Sequence, residues 1–439
     1  MHRREFLAAS ATTLLPGASR AAAKDSANDR ITVAVAGARG RGRKLLENFT
    51  ALDKVDLKYV CDLDPTVLGQ QTDTMASRTG RRPEAISDFR RALDDKSVDA
   101  LVLGTPDHWH AIPTIMACQA GKDVYVEKPD GHNALEGPSM IAAAKKYGRV
   151  VQLGTQSRSK PTVLKAMEYI RAGNLGRVLY AKAWESSLQK SLGHPPDGHP
   201  PAGVDYDMWL GPAPKHAFNP LRFHGNWRWF FDYGTGDLGN DGVHRLDVAR
   251  WALETGIAAN KEQPLGLPRR VSALGGKWYF DDDQQWPDTL AVTYDYGGRL
   301  LTYEMRIWSR YTLDGTTEGA AVYGDNGYMI FGNDGWQAYA LRNKLVAEDS
   351  YAKDEDAGVP HAQNFIDCMR SRERPNADLE TVGHPSSLLC HIGNAAWRAG
   401  RSVQFDPHTY TFVGDADANQ YLTRPEYRRP WLLPKPAEV

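Results

Sequence analysis

The feature that most constrains the fold is a regular alternation of short apolar runs and helical stretches near the start of the chain. The apolar runs are residues 31–36, 55–61, 98–103, 123–126 and 150–153. Each run is apolar almost throughout, which is typical of strands buried on both faces. Such strands, separated by helices, form a parallel sheet covered by helices on both sides. We therefore predict an α/β fold with a doubly wound domain over residues 31–155.

The pattern changes after residue 155, and we predict a second domain over residues 156–424. Closely spaced strands between residues 271 and 331, including the aromatic run at residues 278–280, predict a mostly antiparallel sheet. Helical patterns return within residues 361–399. The last stretch, residues 425–439, contains four prolines and is predicted to be an extended arm.

The charge balance argues against a protein that binds nucleic acid through its charge. The 53 basic and 54 acidic residues are interspersed and give a formal net charge of −1. A protein that holds a polynucleotide mainly by its phosphates needs an excess of positive charge. We therefore expect a small-molecule partner and no nucleic acid.

Cysteine and histidine spacing gives no sign of a metal centre. The four cysteines lie far apart, without a CxxC pair, and we expect them to be structural. His194 and His199 occupy a proline-rich loop but lack the spacing of metal ligands. The sequence therefore predicts no metal site.

The first 30 residues are predicted to be an export signal. Arg3 and Arg4 precede an apolar stretch at residues 6–15, and residues 21–23 are alanines that suit cleavage. The apolar stretch is too short to span a bilayer, which requires about 20 residues. We expect a twin-arginine signal and a periplasmic protein without a membrane span. A disordered basic N-terminus is the alternative.

A glycine-rich turn follows the first strand and opens the next helix. In the motif G-x-G-x-x-G, the glycines allow a tight turn, close approach of pyrophosphate, and packing of helix on strand. Gly37 and Gly42 hold the first and third positions, whereas Arg39 holds the second and Gly40 follows it. A dinucleotide can still bind at the helix N-terminus, where N–H groups and the dipole attract anions. Arg39 would add positive charge to the phosphate contact.

Asp62 ends the second strand, 20 residues after Gly42. A carboxylate at this position binds the ribose hydroxyls of NAD and repels the 2′-phosphate of NADP. We therefore expect NAD, although Arg41 and Arg43 leave NADP open. The alternative is a structural turn in a domain that has lost its cofactor.

Two further motifs indicate a family. Residues 104–110 read GTPDHWH and follow one strand, and Glu127-Lys128-Pro129 follow the next. With the turn at Gly37, they resemble the N-terminal half of the Gfo/Idh/MocA oxidoreductases. The resemblance continues through residues 234–251 and the helices near residues 361–400, and the export signal resembles an exported branch of the family.

This resemblance implies a Rossmann domain, a second domain with a large open sheet through which the family often pairs, and NAD(P)-dependent chemistry on a sugar or cyclitol hydroxyl. The cofactor-binding residues expected on this basis are Gly37, Arg39, Gly40, Arg41, Gly42, Asp62, Thr105, Pro106, His108, Trp109, His110, Glu127 and Lys128.

Hydride transfer from an alcohol needs a base for the hydroxyl proton and a cation near the developing alkoxide. Lys128 lies just past the carboxyl end of a parallel strand, where ligands bind in such sheets. The resemblance assigns this lysine the electrostatic role. A surface lysine beside a turn proline is the alternative.

The second catalytic segment is residues 236–247, GDLGNDGVHRLD. In the family, an Asp precedes a catalytic His by four residues, or one helical turn. Here His244 holds the His position, Asn240 holds the Asp position, and Asp241 is adjacent. Asn cannot accept a proton at neutral pH. Either His244 alone accepts the substrate proton, or the Asp241 side chain points to the substrate instead, or the chemistry differs. Asp247 would be placed to orient the imidazole, and a buried structural histidine is the alternative.

Aromatic faces stack on sugar rings, and Arg, Asp and Gln side chains bind hydroxyls. Candidate substrate residues are Gln156, Arg158, Arg228, Trp229, Asp232 and His244.

Together these observations predict an exported NAD-dependent oxidoreductase that acts on a carbohydrate hydroxyl. Two alternatives stay open. One is a glycosidase or lyase that uses tightly bound NAD transiently. The other is a non-catalytic protein that binds a sugar or a dinucleotide, which the departures at Arg39 and Asn240 favour.

Overall fold

The computed structural model describes residues 30–352 and 355–439. The predicted export signal lies outside these residues, except for its last residue, Arg30. Residues 31–439 form one compact unit, which contains two sheets. Within the part of the chain that the structure describes, no helix combines the length and the apolar character needed to cross a bilayer.

The first sheet is parallel and has six strands. They are β1 (Ile31–Ala36), β2 (Val55–Cys61), β3 (Glu84–Ile86), β4 (Ala100–Leu103), β5 (Asp123–Val126) and β6 (Val151–Leu153). Their spatial order is β3-β2-β1-β4-β5-β6. The direction of winding reverses between β1 and β4, so the loops that follow these two strands diverge and leave a crevice. The predicted doubly wound architecture is confirmed, although β3 was missed.

Helices cover both faces of this sheet. They are α1 (Arg41–Thr50), α2 (Pro65–Thr79), α3 (Arg90–Asp94), α4 (Ala111–Gln119) and α5 (Glu136–Lys146). The ends of α2 show how particular residues determine where a helix begins and ends. The Asp64 carboxylate accepts hydrogen bonds from the first-turn N–H groups of Thr66 and Val67, and Pro65 occupies the first helical position. Gly80 ends the helix in the left-handed conformation.

The second sheet has ten strands and is larger than predicted. They are β7 (Val178–Glu185), β8 (Arg270–Gly276), β9 (Thr289–Asp295), β10 (Leu300–Arg306), β11 (Glu318–Gly324), β12 (Tyr328–Phe331), β13 (Gly335–Ala340), β14 (Lys344–Ser350), β15 (Val403–Asp406) and β16 (Thr411–Phe412). Their order is β14-β13-β12-β11-β7-β10-β9-β8-β15-β16. Only β7 and β10 pair in parallel among the strand pairs of this sheet in the described residues, so the mostly antiparallel character is confirmed.

The aromatic run at residues 278–280 does not form the predicted strand. The backbone N–H groups of Trp278, Tyr279 and Phe280 all donate to Oδ2 of Asp288, at 3.0, 2.7 and 3.0 Å. The chain therefore curls around one buried carboxylate between β8 and β9. The alternation of aromatic and polar residues does not reveal this side-chain acceptor.

Six α-helices follow residue 155 in the part of the chain that the structure describes. They are α6 (Pro161–Arg171), α7 (Tyr206–Leu210), α8 (Val243–Ala259), α9 (Gly358–Ser371), α10 (His384–Ala399) and α11 (Ala416–Asn419). Helices α6, α8 and α10 pack together against the large sheet. A wide helical turn, Leu238–Gly242, leads directly into α8.

The end of the chain returns to the first sheet. Helix α9 packs on α1, where Phe365 makes an edge contact with Phe49. The N–H of Leu153 in β6 donates to the carbonyl of Ala377 at 2.9 Å. Trp431 of the C-terminal arm packs edge-on against Trp109, with ring centroids 4.7 Å apart. Apolar residues of α9 and of the arm thus complete the core of the first domain.

A buried ion pair joins the first sheet to α8. The Arg158 guanidinium, just after β6, donates three hydrogen bonds of 2.8–3.0 Å to the Asp247 carboxylate. The two side chains are 5% and 0% exposed, and the Ser386 hydroxyl of α10 also donates to Asp247, at 2.7 Å. The pair therefore ties together three segments that are far apart in sequence.

Replacing Arg158 with Met is expected to lower the free energy of unfolding by about 3–5 kcal/mol, because the Asp247 carboxylate stays buried without its counter-charge. Urea denaturation measures this change. Adding Asp247→Leu should restore part of the stability by removing the stranded charge. Lys165→Ala, which breaks an exposed ion pair with Asp349, is the control and should leave the denaturation midpoint unchanged. An Arg158→Met protein as stable as this control would contradict the prediction.

Candidate active site

A cleft of about 280 Å³ opens at the carboxyl ends of β1, β2, β4 and β5. The predicted residues that line it are Gly37, Arg39, Gly40, Arg41, Asp62, Thr105, Pro106, Trp109, Glu127, Lys128 and Asn240. The second domain contributes side chains that the sequence did not suggest, which are Met208, Trp209, Phe223, His224 and Trp227. The cleft thus lies at the crevice expected of a doubly wound sheet, with one wall from each domain.

The glycine turn is built by close backbone packing. Gly37 has φ +78°, and a Cβ there would lie 2.7 Å from the carbonyl carbon of Gly104, which follows β4. A Cβ on Gly42 would lie 1.6 Å from the Gly37 oxygen. At Gly40 (φ +51°), by contrast, a Cβ would meet no atom within 4 Å. The turn is therefore closed on the protein side and open at the N-terminus of α1, as a phosphate cradle requires.

Asp62 stands at the end of β2 inside this cleft. Its Oδ2 accepts a hydrogen bond from the N–H of Ala38 at 2.7 Å, and its Oδ1 accepts one from Asp64 at 3.0 Å. Burial raises the pKa of this carboxyl above its ordinary value. The carboxylate is held in place by the glycine turn and has acceptor capacity left for ribose hydroxyls. Together with the open turn, it fits the adenosine half of NAD.

The arginines of the turn leave the cleft open. Arg39 is exposed at the rim. The Nε of Arg41 donates to Oε1 of Glu127 at 2.7 Å, and this ion pair spans from α1 to the end of β5. Arg41 is thus held by a carboxylate at the side of the cleft, and its role as a phosphate ligand stays a prediction.

Lys128 reaches across the cleft to the second domain. Its Nζ donates to the backbone carbonyl of Asn240 and lies 3.4 Å from the Asn240 Oδ1. The Asn240 amide in turn donates to Oδ1 of Asp237 at 3.3 Å. The structure therefore brings the predicted lysine to the predicted Asn position, and the two domains share one polar contact there.

His244 lies on the first turn of α8, four residues after Asn240. Burial first, and then the positive charge of Lys128, hold the pKa of His244 well below its usual value. The imidazole is therefore neutral at neutral pH, which is the form that accepts a proton. Lys128 and Asn240 line the cleft, and His244 lies near the charge of Lys128; its role as a base stays a prediction.

Asp241 lies in a group with Glu185 and Asp237, in which oxygen atoms of the three carboxyl groups are within 4.8 Å of one another. Burial, followed by the charge of Asp241, raises the pKa of Asp237 to about 6. Burial and the charge of Asp237 likewise raise the pKa of Glu185 well above its ordinary range. The sequence did not connect Glu185 with this group, because it lies on a distant strand.

His108 and His110 are not among the residues that line the cleft, and their part in cofactor binding stays a prediction. Both rings are buried, and their nitrogens face backbone carbonyls. Those of His108 lie 3.3 and 2.9 Å from the carbonyls of Tyr233 and Trp209. Those of His110 lie 2.6 and 2.9 Å from the carbonyls of Pro129 and Thr105. These histidines fix the loops around the cleft, whereas Trp109 between them does line it.

Several substrate candidates also have other partners. Arg158 is committed to the buried pair with Asp247, which therefore does not orient His244. Trp229 is 2% exposed and belongs to the core of the second domain. Gln156 donates to the Tyr125 hydroxyl and to Glu127, each at 2.9 Å. These residues make their ion pair, packing contacts and hydrogen bonds with other protein groups, and their positions in the sequence alone do not show this.

Two further substrate candidates lie near the domain junction without facing the cleft. Asp232 is exposed and pairs with His216 at 2.8 Å. Arg228 donates to the carbonyl of Gly225 and stacks over the Trp229 ring at 4.9 Å. A substrate role for either residue stays a prediction.

Asp107 and His224 are among the cleft-lining residues that the sequence analysis missed. The Asp107 carboxylate accepts a hydrogen bond from the Thr235 hydroxyl at 2.7 Å, and burial raises the pKa of this carboxyl to about 7. His224, from the second domain, pairs with Asp64 at 2.7 Å and bridges the rim. Asp107 falls inside the recognised GTPDHWH segment and could have been proposed, whereas nothing in the sequence marks His224.

Two family models match the chain. Residues 31–155 match the model described as an oxidoreductase family NAD-binding Rossmann fold. Residues 190–433 match the model described as an oxidoreductase family C-terminal alpha/beta domain. Both are models of the Gfo/Idh/MocA family.

Curated relatives include two named dehydrogenases and a glycosyl hydrolase. Levoglucosan dehydrogenase of Pseudarthrobacter phenanthrenivorans is 26% identical over 219 residues, 48% of each chain. A glycosyl hydrolase family 109 protein of Stenotrophomonas maltophilia is 26% identical over 189 residues, 42% of each chain. These two matches thus span about half the length of the relatives. scyllo-Inositol 2-dehydrogenase (NAD(+)) of Bacillus subtilis is 30% identical over 358 residues, which is 80% of this chain and 89% of that protein.

Solved structures share the fold. A levoglucosan dehydrogenase in complex with NADH superposes with a TM-score of 0.66 at 17% identity, covering 85% of this chain and 99% of that one. The aldose-aldose oxidoreductase of Caulobacter crescentus superposes with a TM-score of 0.65 at 18% identity, covering 86% and 100%. The two family models and the match to scyllo-inositol 2-dehydrogenase show that the chain belongs to the Gfo/Idh/MocA family of oxidoreductases.

Proposed function

We propose that this protein is an NAD-dependent oxidoreductase that transfers a hydride between a carbohydrate CH–OH group and the nicotinamide. The observation that carries the proposal is the contact of Lys128 with Asn240 in the cleft at the carboxyl ends of the parallel strands, with His244 four residues further along and near the charge of Lys128. Two of the named relatives are dehydrogenases of a sugar derivative and of a cyclitol, which supports this substrate class.

Each group in this proposal has one task. The open turn at Gly40 and the Asp62 carboxylate would hold the pyrophosphate and the adenosine ribose. When bound, NAD supplies the hydride acceptor. The neutral His244 imidazole takes the proton from the substrate hydroxyl, and the Lys128 ammonium stabilises the oxygen as negative charge develops on it. Asn240 keeps the ammonium in place through its two oxygens.

We further propose export of the protein to the periplasm by the twin-arginine route. Support comes from Arg3 and Arg4, the short apolar stretch that follows them and the alanines at residues 21–23. We also propose pairing of two copies through the open sheet. The exposed side chains Leu274, Trp278 and Leu300 support this, since apolar groups of this size are commonly covered in an oligomer.

A second candidate function is glycoside cleavage with transient use of retained NAD. The relatives named glycosyl hydrolase family 109 proteins favour it. So do the raised pKa values of Glu185 and Asp237 close to Asn240, because a protonated carboxyl can serve a leaving group. The two functions differ in their products, since only net oxidation of the substrate accumulates NADH.

Replacing Lys128 or His244 with Ala is expected to lower kcat by about 100-fold or more on any carbohydrate that the wild type oxidises, because each variant loses charge stabilisation or the proton acceptor. NADH absorbance measures oxidation, and chromatography of the sugars in the same samples detects glycoside cleavage. His194→Ala, in an exposed loop, is the control and should retain full turnover.

Full turnover by both Lys128→Ala and His244→Ala would refute the assigned roles. Release of sugar without NADH accumulation, lost in the same variants, would favour the second candidate.

Replacing Asp62 with Asn is expected to shift cofactor preference toward NADPH by about tenfold or more. The amide can still accept the hydrogen bond from Ala38, but it no longer repels a 2′-phosphate. The ratio of the NADH and NADPH dissociation constants, measured by nucleotide fluorescence, tests this. Asp53→Asn, on an exposed loop, should leave the ratio unchanged. An unchanged ratio in Asp62→Asn would place the adenosine ribose away from β2.

A further inference from the structure

Three carboxyl groups converge beside the Lys128–Asn240 contact. Glu185 is the last residue of β7. Asp237 comes immediately before the wide turn that leads into α8, and Asp241 lies within that turn. Each offers an oxygen atom within 4.8 Å of the other two. Oxygen ligands on opposite sides of a Mg²⁺ or Ca²⁺ ion are about 4–5 Å apart, given ligand distances of about 2.1–2.5 Å. The spacing therefore suits one cation.

These carboxyl groups have too few partners of their own. The Ser187 hydroxyl donates to Oε1 of Glu185, and the Asn240 amide donates to Oδ1 of Asp237. The remaining oxygens, Oε2 of Glu185 and Oδ2 of Asp237, are buried and have no donor within residues 30–352 and 355–439. Within the same residues, no lysine or arginine forms an ion pair with any of the three. Buried carboxylates without a partner are costly, so they must either take up protons or be neutralised by a bound cation.

A separate side chain points into the same space. Tyr303 of β10 lies opposite Ala183 of β7, and Met305 lies opposite Glu185. Because residues two apart on a strand share a face, Tyr303 lies on the same side of the sheet as Glu185. Its hydroxyl is fully buried, has no hydrogen-bond partner among the described residues, and lies 2.6 Å from where a Cβ of Gly242 would be. It thus abuts the residue after Asp241.

One proton cannot satisfy this arrangement. A proton shared by Glu185 and Asp237 would pair their facing oxygens, but it would leave the buried Tyr303 hydroxyl without a partner. A divalent cation can contact all three carboxyl groups and leave a position for the hydroxyl or for water. A set of carboxylate oxygens favours Mg²⁺, Mn²⁺ or Ca²⁺.

We propose that Glu185, Asp237 and Asp241 bind one divalent cation of the Mg²⁺, Mn²⁺ or Ca²⁺ class, with the Tyr303 hydroxyl facing it. Asn240 links the cation site to Lys128, since its amide donates to Asp237 while its oxygens hold the ammonium. The use of the cation rests on the proposed function: it would orient a second hydroxyl of the carbohydrate next to the one that His244 deprotonates.

Titration of the purified full-length protein with Mn²⁺ tests the proposal. The protein is first treated with a chelator and desalted, and free Mn²⁺ is then followed by electron paramagnetic resonance. We expect one strongly bound Mn²⁺ per chain. Glu185→Gln and Asp237→Asn should each weaken binding by at least about tenfold, and Tyr303→Phe by less. Asp349→Asn, which removes an exposed carboxylate far from the group, is the matched control and should bind as the wild type does.

Several outcomes would overturn the proposal. Absence of bound Mn²⁺ at millimolar concentration would do so, and so would unchanged binding in both Glu185→Gln and Asp237→Asn. Far-UV circular dichroism checks that each variant folds, and Asp241→Asn, at a half-buried position, replaces any variant that does not. NADH binding by the same samples separates the two proposals. NADH bound without Mn²⁺ refutes only the cation site, whereas Mn²⁺ bound without NADH refutes only the oxidoreductase.

Discussion

The contact between Lys128 and Asn240 is the interaction on which the site depends, because it joins the cofactor-side wall of the cleft to the helix that carries His244. Lys128 and Asn240 come from different domains, so their contact forms only if the two domains keep a fixed position relative to each other. Buried polar groups maintain that relation. The backbone N–H of Asp130, two residues after Lys128, donates to the Ser387 hydroxyl of α10 at 3.0 Å, and the Asp130 carboxylate pairs with the His384 imidazole of α10 at 2.7 Å. The Arg158–Asp247 pair ties the same helix bundle to the edge of the first sheet.

Much of the first domain could be predicted from the sequence because the information there is local. Continuous apolar strands report burial on both faces, and the glycines at residues 37 and 42 report backbone contacts that no other residue allows. The second sheet was harder, since its strands pair across long sequence distances. Strand β7 inserts between β10 and β11, and no periodicity within residues 178–185 indicates that position. The return of α9 to the first sheet is a tertiary contact of the same kind.

Some residues of the candidate site could likewise be predicted from the local sequence, whereas others are brought together only by the fold. Asp62 and Lys128 were found because each follows a strand of a parallel sheet, and the ends of such strands lie at one edge. The ring nitrogens of His108 and His110 face backbone carbonyls, and the sequence does not show whether a polar residue in a motif bonds to the protein or to a ligand. Glu185 and Tyr303 were missed because only the pairing of β7 with β10 brings them near Asp237. The positions of motif residues after the parallel strands thus locate the cleft, whereas the acidic group beside it depends on the three-dimensional fold.

The most direct test of the central claim, that nicotinamide chemistry takes place between the two domains, is a crystal structure of the protein with NADH. We expect the pyrophosphate at the N-terminus of α1, the adenosine ribose at Asp62, and the nicotinamide ring beside Lys128 and His244. A dinucleotide bound elsewhere, or a nicotinamide ring beyond contact distance of both side chains, would contradict it.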